Sequence, residues 1–153
     1  MHLHKKEAWM EVWTRLVVVA AFCTLISMAD IKTLLIPDRM LYPFWLLLVV
    51  IDIRWSYYAV PSRMAGALAM SLAFLAVRQF YGGLGLGDVK LAFVLTYAVG
   101  FFSGIVAVFS ASVLGLAYLA VARIAEKKRM EKVPFAPFLS IGTLLVMAAG
   151  GFV

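Results

Sequence analysis

Apolar residues in this chain gather into six long runs, separated by short stretches that are polar, basic or rich in glycine. The runs cover residues 16–29, 40–53, 64–81, 89–102, a fifth segment that reaches about Ala122, and 138–153. Within each run the apolar positions are continuous and do not alternate with polar ones. Because backbone groups in hydrocarbon must bond within their own segment, the runs predict helices and argue against a barrel of strands. Gly100 and the pair Ser103-Gly104 are expected to separate the fourth helix from the fifth.

Composition places these helices in a membrane. Of the 153 residues, 65% are hydrophobic and 14% are charged, and the mean hydropathy is +0.99. Soluble domains carry about 45–50% apolar and about 25% charged residues. At roughly 20 residues per span, the length suits about six spans in a single domain over residues 1–153. We therefore predict an all-α, polytopic membrane protein in contact with lipid.

The basic residues indicate an orientation and not a nucleic-acid partner. The formal net charge is +6, yet the chain has no basic stripe interleaved with aromatic residues of the kind that binds nucleic acid. With six spans, the loops after spans one, three and five share one side. That side holds nine of the 14 Lys and Arg residues, namely Lys32, Arg39, Arg78, Lys90, Arg123, Lys127, Lys128, Arg129 and Lys132. The positive-inside rule makes it cytoplasmic, although Lys5 and Lys6 near the N-terminus argue mildly for the reverse.

The first 29 residues allow a second interpretation. A basic start, an apolar core and Ser27-Met28-Ala29 resemble a secretory signal peptide with its cleavage site. Cleavage would leave Asp30 as the new N-terminus. The intact mass of the protein distinguishes the two interpretations.

Several other residues are expected to have structural roles only. Cys23 is the single cysteine, so neither a disulfide within the chain nor a Cys-x-x-Cys zinc site is predicted. His2 and His4 lack nearby metal-ligating partners, and we predict no metal and no cofactor. Asp52 is expected at the external interface, next to the belt of aromatic residues around Arg54.

Two carboxylates carry the chemistry that the sequence suggests. Asp30 ends the first apolar run, and Asp88, in Gly85-Leu86-Gly87-Asp88, opens the fourth. An ionisable group beside hydrocarbon is costly and usually marks a function. If the two spans pack together, the acids share a proton and their pKa values split. The charged acid then takes a proton from water while the neutral one polarises a peptide carbonyl, as in aspartic proteases.

Neighbouring residues suggest how this pair is supported. Gly85 and Gly87 permit backbone conformations closed to other residues and the close approach of another chain. A helix N-terminus favours a charged Asp88 and a helix C-terminus a neutral Asp30, which makes Asp88 the predicted base. Lys90 is expected to reinforce that bias. Asp38-Arg39 is expected to be a solvated charge pair, with substrate gating as the second interpretation.

Three blocks of the chain resemble the type IV prepilin peptidases. The segment from Gly85 to Leu91 resembles their Gly-x-Gly-Asp-x-Lys signature, and Asp30 to Asp38 resembles the segment of their first aspartate. Pro134-Phe135-Ala136-Pro137 resembles a third block that usually reads Pro-Phe-Gly-Pro. The order of the blocks and their apolar context agree with the family over nearly the whole chain.

The resemblance implies an aspartic endopeptidase that removes the short basic leader of prepilins or pseudopilins at the cytoplasmic face of the cell membrane. By motif match, Asp30 and Asp88 are the catalytic pair. Gly85, Gly87, Lys90, Pro134, Phe135 and Pro137 are expected to bind substrate or shape the loops around that pair.

Two departures from the family pattern qualify the resemblance. Ala136 replaces a glycine, which is tolerable unless that position needs a positive φ. Long bacterial members carry an insertion with paired cysteines and also methylate the new N-terminus. This sequence has neither, so it resembles the short peptidases of archaea or of Tad/Flp pilus systems, and peptidase activity without methyltransferase activity is expected.

Two other functions compete with this one. A non-catalytic polytopic protein, such as a transporter or a secretion-system subunit, would use the acids to bind ions or protons. Against it, the acids lie at helix ends, and no inverted repeat is apparent. Another Gly-x-Gly-Asp membrane protease would share only the tetrapeptide and would not explain the third block.

Overall fold

The computed structural model describes residues 2–81, 84–126 and 134–150 and contains only helices within them. The elements are α1 (His2–Thr33), α2 (Asp38–Trp55), α3 (Val60–Tyr81), α4 (Leu86–Val99), α5 (Phe101–Glu126) and α6 (Ala136–Ala148). A 3₁₀ turn, Tyr57–Ala59, leads into α3. The prediction of an all-α protein is confirmed, and the described residues form six helices where about six spans were expected.

Within the residues that the structure describes, three helical segments are long and apolar enough to cross a membrane. They are the segments Trp9–Thr33, Tyr57–Phe80 and Phe101–Ile124. Helices α4 and α6 are shorter, with 14 and 13 residues, or about 20 Å each at 1.5 Å per residue. That is less than the roughly 30 Å of a bilayer core. The protein is therefore a multi-pass membrane protein whose short helices lie among longer ones.

Helix α4 is the central element of the bundle. Nearly all its residues from Val89 to Val99 are buried, because α2, α3, α5 and α6 pack around it. Helix α1 packs mainly against α6 and α2 and touches α4 only slightly. Large apolar side chains such as Phe102 and Ile124 point away from the bundle, as expected for surfaces that face lipid.

The break between α4 and α5 occurs at one of the two predicted positions. Gly100 ends α4 with φ 89°, a conformation that favours glycine. The second expected break, at Ser103-Gly104, is wrong because α5 continues through both residues. A Cβ on Gly104 would lie 2.8 Å from Thr96 Cγ2, so this glycine allows close packing of α5 against α4.

Small residues also bring α5 and α6 together. A Cβ on Gly142 would meet the backbone carbonyl of Ala107 and lie 3.1 Å from the backbone nitrogen of Ala111. Small residues at such contacts let helix backbones approach closely in a membrane. Since α6 begins at Ala136, this contact sets the position of the α6 N-terminus.

Candidate active site

Asp30 lies in the last turn of α1 and is held by the first residue of α6. Its side chain is 5% exposed, and the backbone N–H of Ala136 donates a hydrogen bond of 3.1 Å to Asp30 Oδ2. This N–H belongs to the first turn of α6 and has no partner within that helix. The carboxyl of Asp30 therefore satisfies an unpaired helix donor that is remote in sequence.

A second polar contact fixes α1 against α6 on the same side. The Ser27 hydroxyl donates to Ser140 Oγ at 3.1 Å. Ser27 precedes Asp30 by three residues and so lies on the same face of α1. Hydrogen bonds between helices orient them in lipid, where few other polar partners exist. Together the two contacts direct Asp30 toward the start of α6.

Asp88 is the third residue of α4 and is partly buried. The backbone N–H of Gly85 donates a hydrogen bond of 3.1 Å to Asp88 Oδ2, which caps the helix. Burial raises the pKa of the Asp88 carboxyl above its usual range, the Gly85 N–H lowers it, and the charge of Asp30 raises it further. Asp30 and Asp88 thus lie at the same end of the bundle, at the end of α1 and the start of α4.

Gly87 allows a close approach between the start of α4 and the connection from α1 to α2. A Cβ at this position would lie 2.9 Å from Ile36 Cβ. Gly85 has φ −72°, and among the described glycines only Gly100 and Gly150 have a positive φ. The expectation of unusual backbone conformations at Gly85 and Gly87 is therefore wrong, whereas close packing explains Gly87.

Lys90 contacts a carboxylate, but that carboxylate is Asp38. Its Nζ donates to Asp38 Oδ2 at 2.6 Å, and both side chains remain about half exposed. Asp38 therefore pairs with Lys90, and the expected solvated pair between Asp38 and Arg39 is wrong. The contact joins the beginnings of α2 and α4. Lys90 therefore lies at the surface and connects the starts of two helices.

Residues of the third block form the start of α6. Phe135 precedes the helix and packs against Phe74 of α3, with ring centroids 6.4 Å apart. Pro137 lies in the first helical turn, where its missing N–H costs nothing. Pro134 is half-buried just before the helix. Ala136 is helical, with no positive φ, so its replacement of glycine is conformationally acceptable.

The loop that precedes Gly85 is tied to α3 by Arg78, for which the sequence indicated only a role in topology. Arg78 Nη1 donates to the backbone carbonyl of Leu84 at 3.1 Å. The sequence offered one signal for this contact, because Arg78 lies four positions before a glycine-rich loop. A basic side chain in the last turn of a helix often reaches the loop that follows.

A cavity of about 380 Å³ opens beside the start of α4, between α2 and α3. Its lining is almost entirely apolar and includes Trp45, Val89 and Phe93. The residue next to Asp88 in sequence, Val89, is one of its walls. An apolar space thus lies beside the first turn of α4, the turn that carries Asp88.

The structure removes the distinction that helix ends suggested between the two acids. Helix ends alone favour a charged Asp88 and a neutral Asp30. However, Asp30 accepts a hydrogen bond from the N-terminus of α6, just as Asp88 does from Gly85. Both carboxyls therefore have a donor that favours the charged form. Helix polarity does not decide which acid carries the proton.

Asp52 is the residue whose surroundings the sequence predicted least well. The expected position at the external interface is wrong, because Asp52 is fully buried and forms an ion pair with Arg15. Arg15 lies close to the first apolar run, and a charged residue in such a place needs a partner. From that rule, the sequence could have predicted an acidic partner for Arg15. Asp52, near the end of the second run, was one candidate.

The remaining predictions concern residues with little to add to the site. In residues 2–81, 84–126 and 134–150, no three His, Cys, Asp or Glu side chains gather to hold a metal ion. Lys132 and the basic block from Lys127 to Arg129 lie outside the described residues, as do Gly82 and Val133.

The chain is similar in sequence to known proteins. Residues 17–120 match the sequence profile described as "Type IV leader peptidase family". A prepilin leader peptidase/N-methyltransferase of Bacillus subtilis (strain 168) is 32% identical over 140 residues, which cover 88% of this chain and 55% of that protein. A protein of the same name from Pectobacterium carotovorum subsp. carotovorum is 29% identical over 150 residues, covering 94% and 53%. The chain thus spans about half the length of these relatives. No solved structure matches it significantly.

Proposed function

Because the chain belongs to the type IV leader peptidase family, we propose that it is an aspartic endopeptidase that cleaves the leader from prepilins or pseudopilins. The observation that carries the proposal is the placement of Asp30 and Asp88. They are 58 residues apart in sequence, yet Gly87, next to Asp88, packs against Ile36 in the connection that follows α1 and Asp30. Two interacting carboxyls at the end of a bundle are the minimum that this chemistry needs.

The proposed reaction uses the pair as an acid and a base. The charged carboxyl takes a proton from a water molecule, and that water attacks the carbonyl carbon of the scissile peptide bond. The protonated carboxyl donates a hydrogen bond to the carbonyl oxygen and stabilises the charge that develops there. A proton then passes to the leaving nitrogen as the C–N bond breaks, which returns one shared proton to the pair.

The backbone donors reach one oxygen of each acid and leave the other oxygen for a shared proton. One N–H reaches Asp30 from Ala136 and one reaches Asp88 from Gly85, so each oxygen not so occupied remains available for water or substrate. Apparent pKa values in such a pair belong to both groups. Infrared titration of the two single Asp→Asn variants decides which acid holds the proton.

The surroundings of the pair suit the proposed substrate. Leaders of prepilins are basic and precede an apolar segment, and the cavity beside Asp88 has an apolar lining that includes Val89 and Phe93. We propose that the leader approaches from the cytoplasmic face and that the apolar segment enters from the membrane. The expected lack of methyltransferase activity remains a prediction.

Co-expression with a candidate prepilin tests the proposal. The wild-type protein is expected to shorten the prepilin, and mass spectrometry of the product locates the cleaved bond. Asp30→Asn and Asp88→Asn are each expected to reduce processing by at least about 10³-fold, because neither acid can be replaced within the pair. Both variants are expected to remain inserted in the membrane.

A third variant provides the matched control. Asp38→Asn changes an acid at the same end of the bundle that pairs with Lys90 at the surface. Loss of an exposed ion pair costs about 0–1 kcal/mol, so processing should change little. Full processing by either the Asp30 or the Asp88 variant would eliminate the two-carboxyl mechanism.

A further inference from the structure

Far from the two carboxyls, the bundle contains a second group of charged side chains that the proposed reaction does not use. These residues, which we call the polar cluster, come from α1, α2 and α3 and the turn after α2. They are Glu11, Arg15, Asp52, Ser56 and Arg63.

The polar cluster is a buried and almost fully paired network. Arg15 is 1% exposed and Asp52 is 0% exposed. Arg15 Nη2 pairs with Asp52 Oδ1 and also lies 3.1 Å from Glu11 Oε1. Arg63 Nη1 lies 3.5 Å from the same oxygen of Asp52, and the Ser56 hydroxyl donates to Glu11 at 2.7 Å. Two positive and two negative side chains thus offset one another.

The two arginines also bind the end of α4. Arg15 Nη1 donates to the carbonyl of Ala98 at 3.1 Å, and Arg63 Nη1 donates to it at 3.3 Å. Ala98 lies in the last turn of α4, whose carbonyls have no partner within the helix. Cations at this position also offset the partial negative charge of the helix C-terminus. The arginines therefore connect α1 and α3 to α4.

This connection lies at the opposite end of the bundle from the carboxyl pair. Arg15 and Asp30 are both in α1, about 22 Å apart along the helix axis at 1.5 Å per residue. Ala98 and Asp88 are both in α4, about 15 Å apart by the same measure. Helices α1 and α4 thus meet at Arg15 and Ala98 at one end and carry the two acids at the other.

Stability alone does not explain so many buried charges. Removing ions from water costs about as much as their pairing returns, and apolar replacements of similar volume are often equally stable. What a buried polar network supplies in the best-attested cases is a fixed register between helices. Helix α1 needs such a constraint, because it has little direct packing against α4.

We propose that Arg15 is a positioning residue. Through Asp52 and the carbonyl of Ala98, it fixes the axial register of α1 relative to α4 and so determines how Asp30 faces Asp88. The catalytic part of this inference rests on the proposed peptidase function. The geometric part does not, since it concerns only the relative position of two helices.

The first test compares kinetics of variants in lipid nanodiscs. Arg15→Met/Asp52→Leu removes both members of the closest ion pair, and it leaves Glu11 bonded to Ser56 and Arg63 bonded to the carbonyl of Ala98. Its kcat is expected to fall about 10- to 100-fold, the usual effect of a small misplacement of reacting groups. Its KM should stay within about twofold, because no substrate contact is changed. Arg15→Lys, which keeps the charge, should recover part of the lost kcat.

A neighbouring arginine is the matched control. Arg54 lies at the same end of α2 but is exposed and stacks on Trp55. Arg54→Met should leave kcat and KM within about twofold of the wild type. A double variant with normal kcat, or one whose loss of kcat is matched by a large loss of melting temperature, would overturn the positioning role.

The second test measures geometry without activity. In a Cys23→Ala background, Ile36→Cys and Gly87→Cys place two thiols at the facing positions near the carboxyl pair, where a Cβ on residue 87 would lie 2.9 Å from Ile36 Cβ. Disulfides form at Cβ separations of about 3.5–4.5 Å, so the start of α4 must first move away from position 36 in both cross-linking variants alike. Adding Arg15→Met/Asp52→Leu is expected to change the rate of oxidative cross-linking at least about fivefold, because a shifted register alters the separation of the two Cβ atoms.

The results can refute the peptidase proposal and the register role independently of each other. If the wild-type protein cleaves no prepilin but cross-linking depends on Arg15, the peptidase proposal fails and the register role stands. If the wild type cleaves and cross-linking is unchanged by the double variant, the register role is refuted and the peptidase proposal stands.

Discussion

At the scale of single residues, each candidate catalytic carboxyl depends on one backbone N–H. The donor to Asp88 is three residues away and belongs to the same motif, so sequence spacing predicts it. The donor to Asp30 is 106 residues away in Ala136. No local rule connects those two positions. The motifs therefore indicated both acids, but they predicted the hydrogen-bond donor of Asp88 only and not that of Asp30.

Gly87 provides the first prediction at this scale. Gly87→Ala adds a Cβ that would lie 2.9 Å from Ile36 Cβ, which is too close for an ordinary contact. The start of α4 must then shift, and prepilin processing is expected to fall at least about 10-fold, as measured by the initial rate in nanodiscs.

A compensating change distinguishes this steric effect from a loss of conformational freedom. Ile36→Gly/Gly87→Ala removes the atom that the new methyl group meets, so processing should partly recover. Because Gly87 is helical and has no positive φ, alanine is conformationally acceptable there. No recovery in the double variant would refute the steric explanation.

The raised pKa of Asp88 predicts how stability depends on pH. Burial raises this pKa, so protonation of Asp88 stabilises the fold. The stabilisation is complete below the ordinary aspartate pKa of about 3.9 and is lost as the pH rises through the raised value. Asp88→Asn cannot ionise and escapes this loss. At pH 7 it is expected to melt at a higher temperature than the wild type.

The pH profile itself supplies the control for this prediction. The difference in melting temperature between Asp88→Asn and the wild type should shrink as the pH falls toward 4, where Asp88 is increasingly neutral in both states of the wild type. A difference that is independent of pH would mean that ionisation of Asp88 does not affect the fold.

At the scale of elements, the short helices α4 and α6 contribute most of the contacts described at the candidate site. Each begins at the candidate site, with α4 supplying Asp88 and α6 the N–H that holds Asp30. Hydropathy predicted both as apolar runs but placed their starts a few residues late, at positions 89 and 138. The first turn of a helix is often polar or contains proline, so it does not belong to an apolar run.

Gly142 provides a prediction about α6. Gly142→Ala would press a methyl group against the backbone of Ala107 and Ala111, which cannot move aside as a side chain does. Overpacking of this kind costs about 1–3 kcal/mol. We expect a lower melting temperature and, since α6 also holds Asp30, slower processing.

A second glycine supplies the control. Gly115 lies in α5, and a methyl group added to it would have its nearest neighbour, Phe138, at an ordinary distance of 3.7 Å, so Gly115→Ala fits. Alanine is favoured over glycine in helices by about 1 kcal/mol. The expected result is an unchanged or higher melting temperature, and equal effects at the two positions would argue against close α5–α6 packing.

At the scale of the whole molecule, the side that we propose to be external carries fewer loop charges than the sequence suggests. Arg15 and Arg63 lie on that side by order of the spans, but both belong to the polar cluster and pair with Asp52. They are therefore not free to act as loop charges. The proposed cytoplasmic location of Asp30 and Asp88 therefore still agrees with the positive-inside rule.

Labelling of single cysteines tests this orientation. In a Cys23→Ala background, Leu35→Cys lies near the carboxyl pair and Tyr58→Cys near the polar cluster, and the native side chains are 72% and 96% exposed. A membrane-impermeant maleimide added to intact cells should label position 58. Position 35 should react only after permeabilisation. The reverse pattern would invert the proposed topology.

The sequence alone predicts an all-α membrane protein, and its ordered motifs indicate the family. Both conclusions depend on local composition and spacing, because a helix in lipid satisfies its own backbone and requires only a continuous apolar run. The partners of the buried charges, such as Asp52 for Arg15 and the N–H of Ala136 for Asp30, emerged only from the packed bundle. Pairing depends on distances between residues far apart in the chain, and those distances are set by how the helices pack.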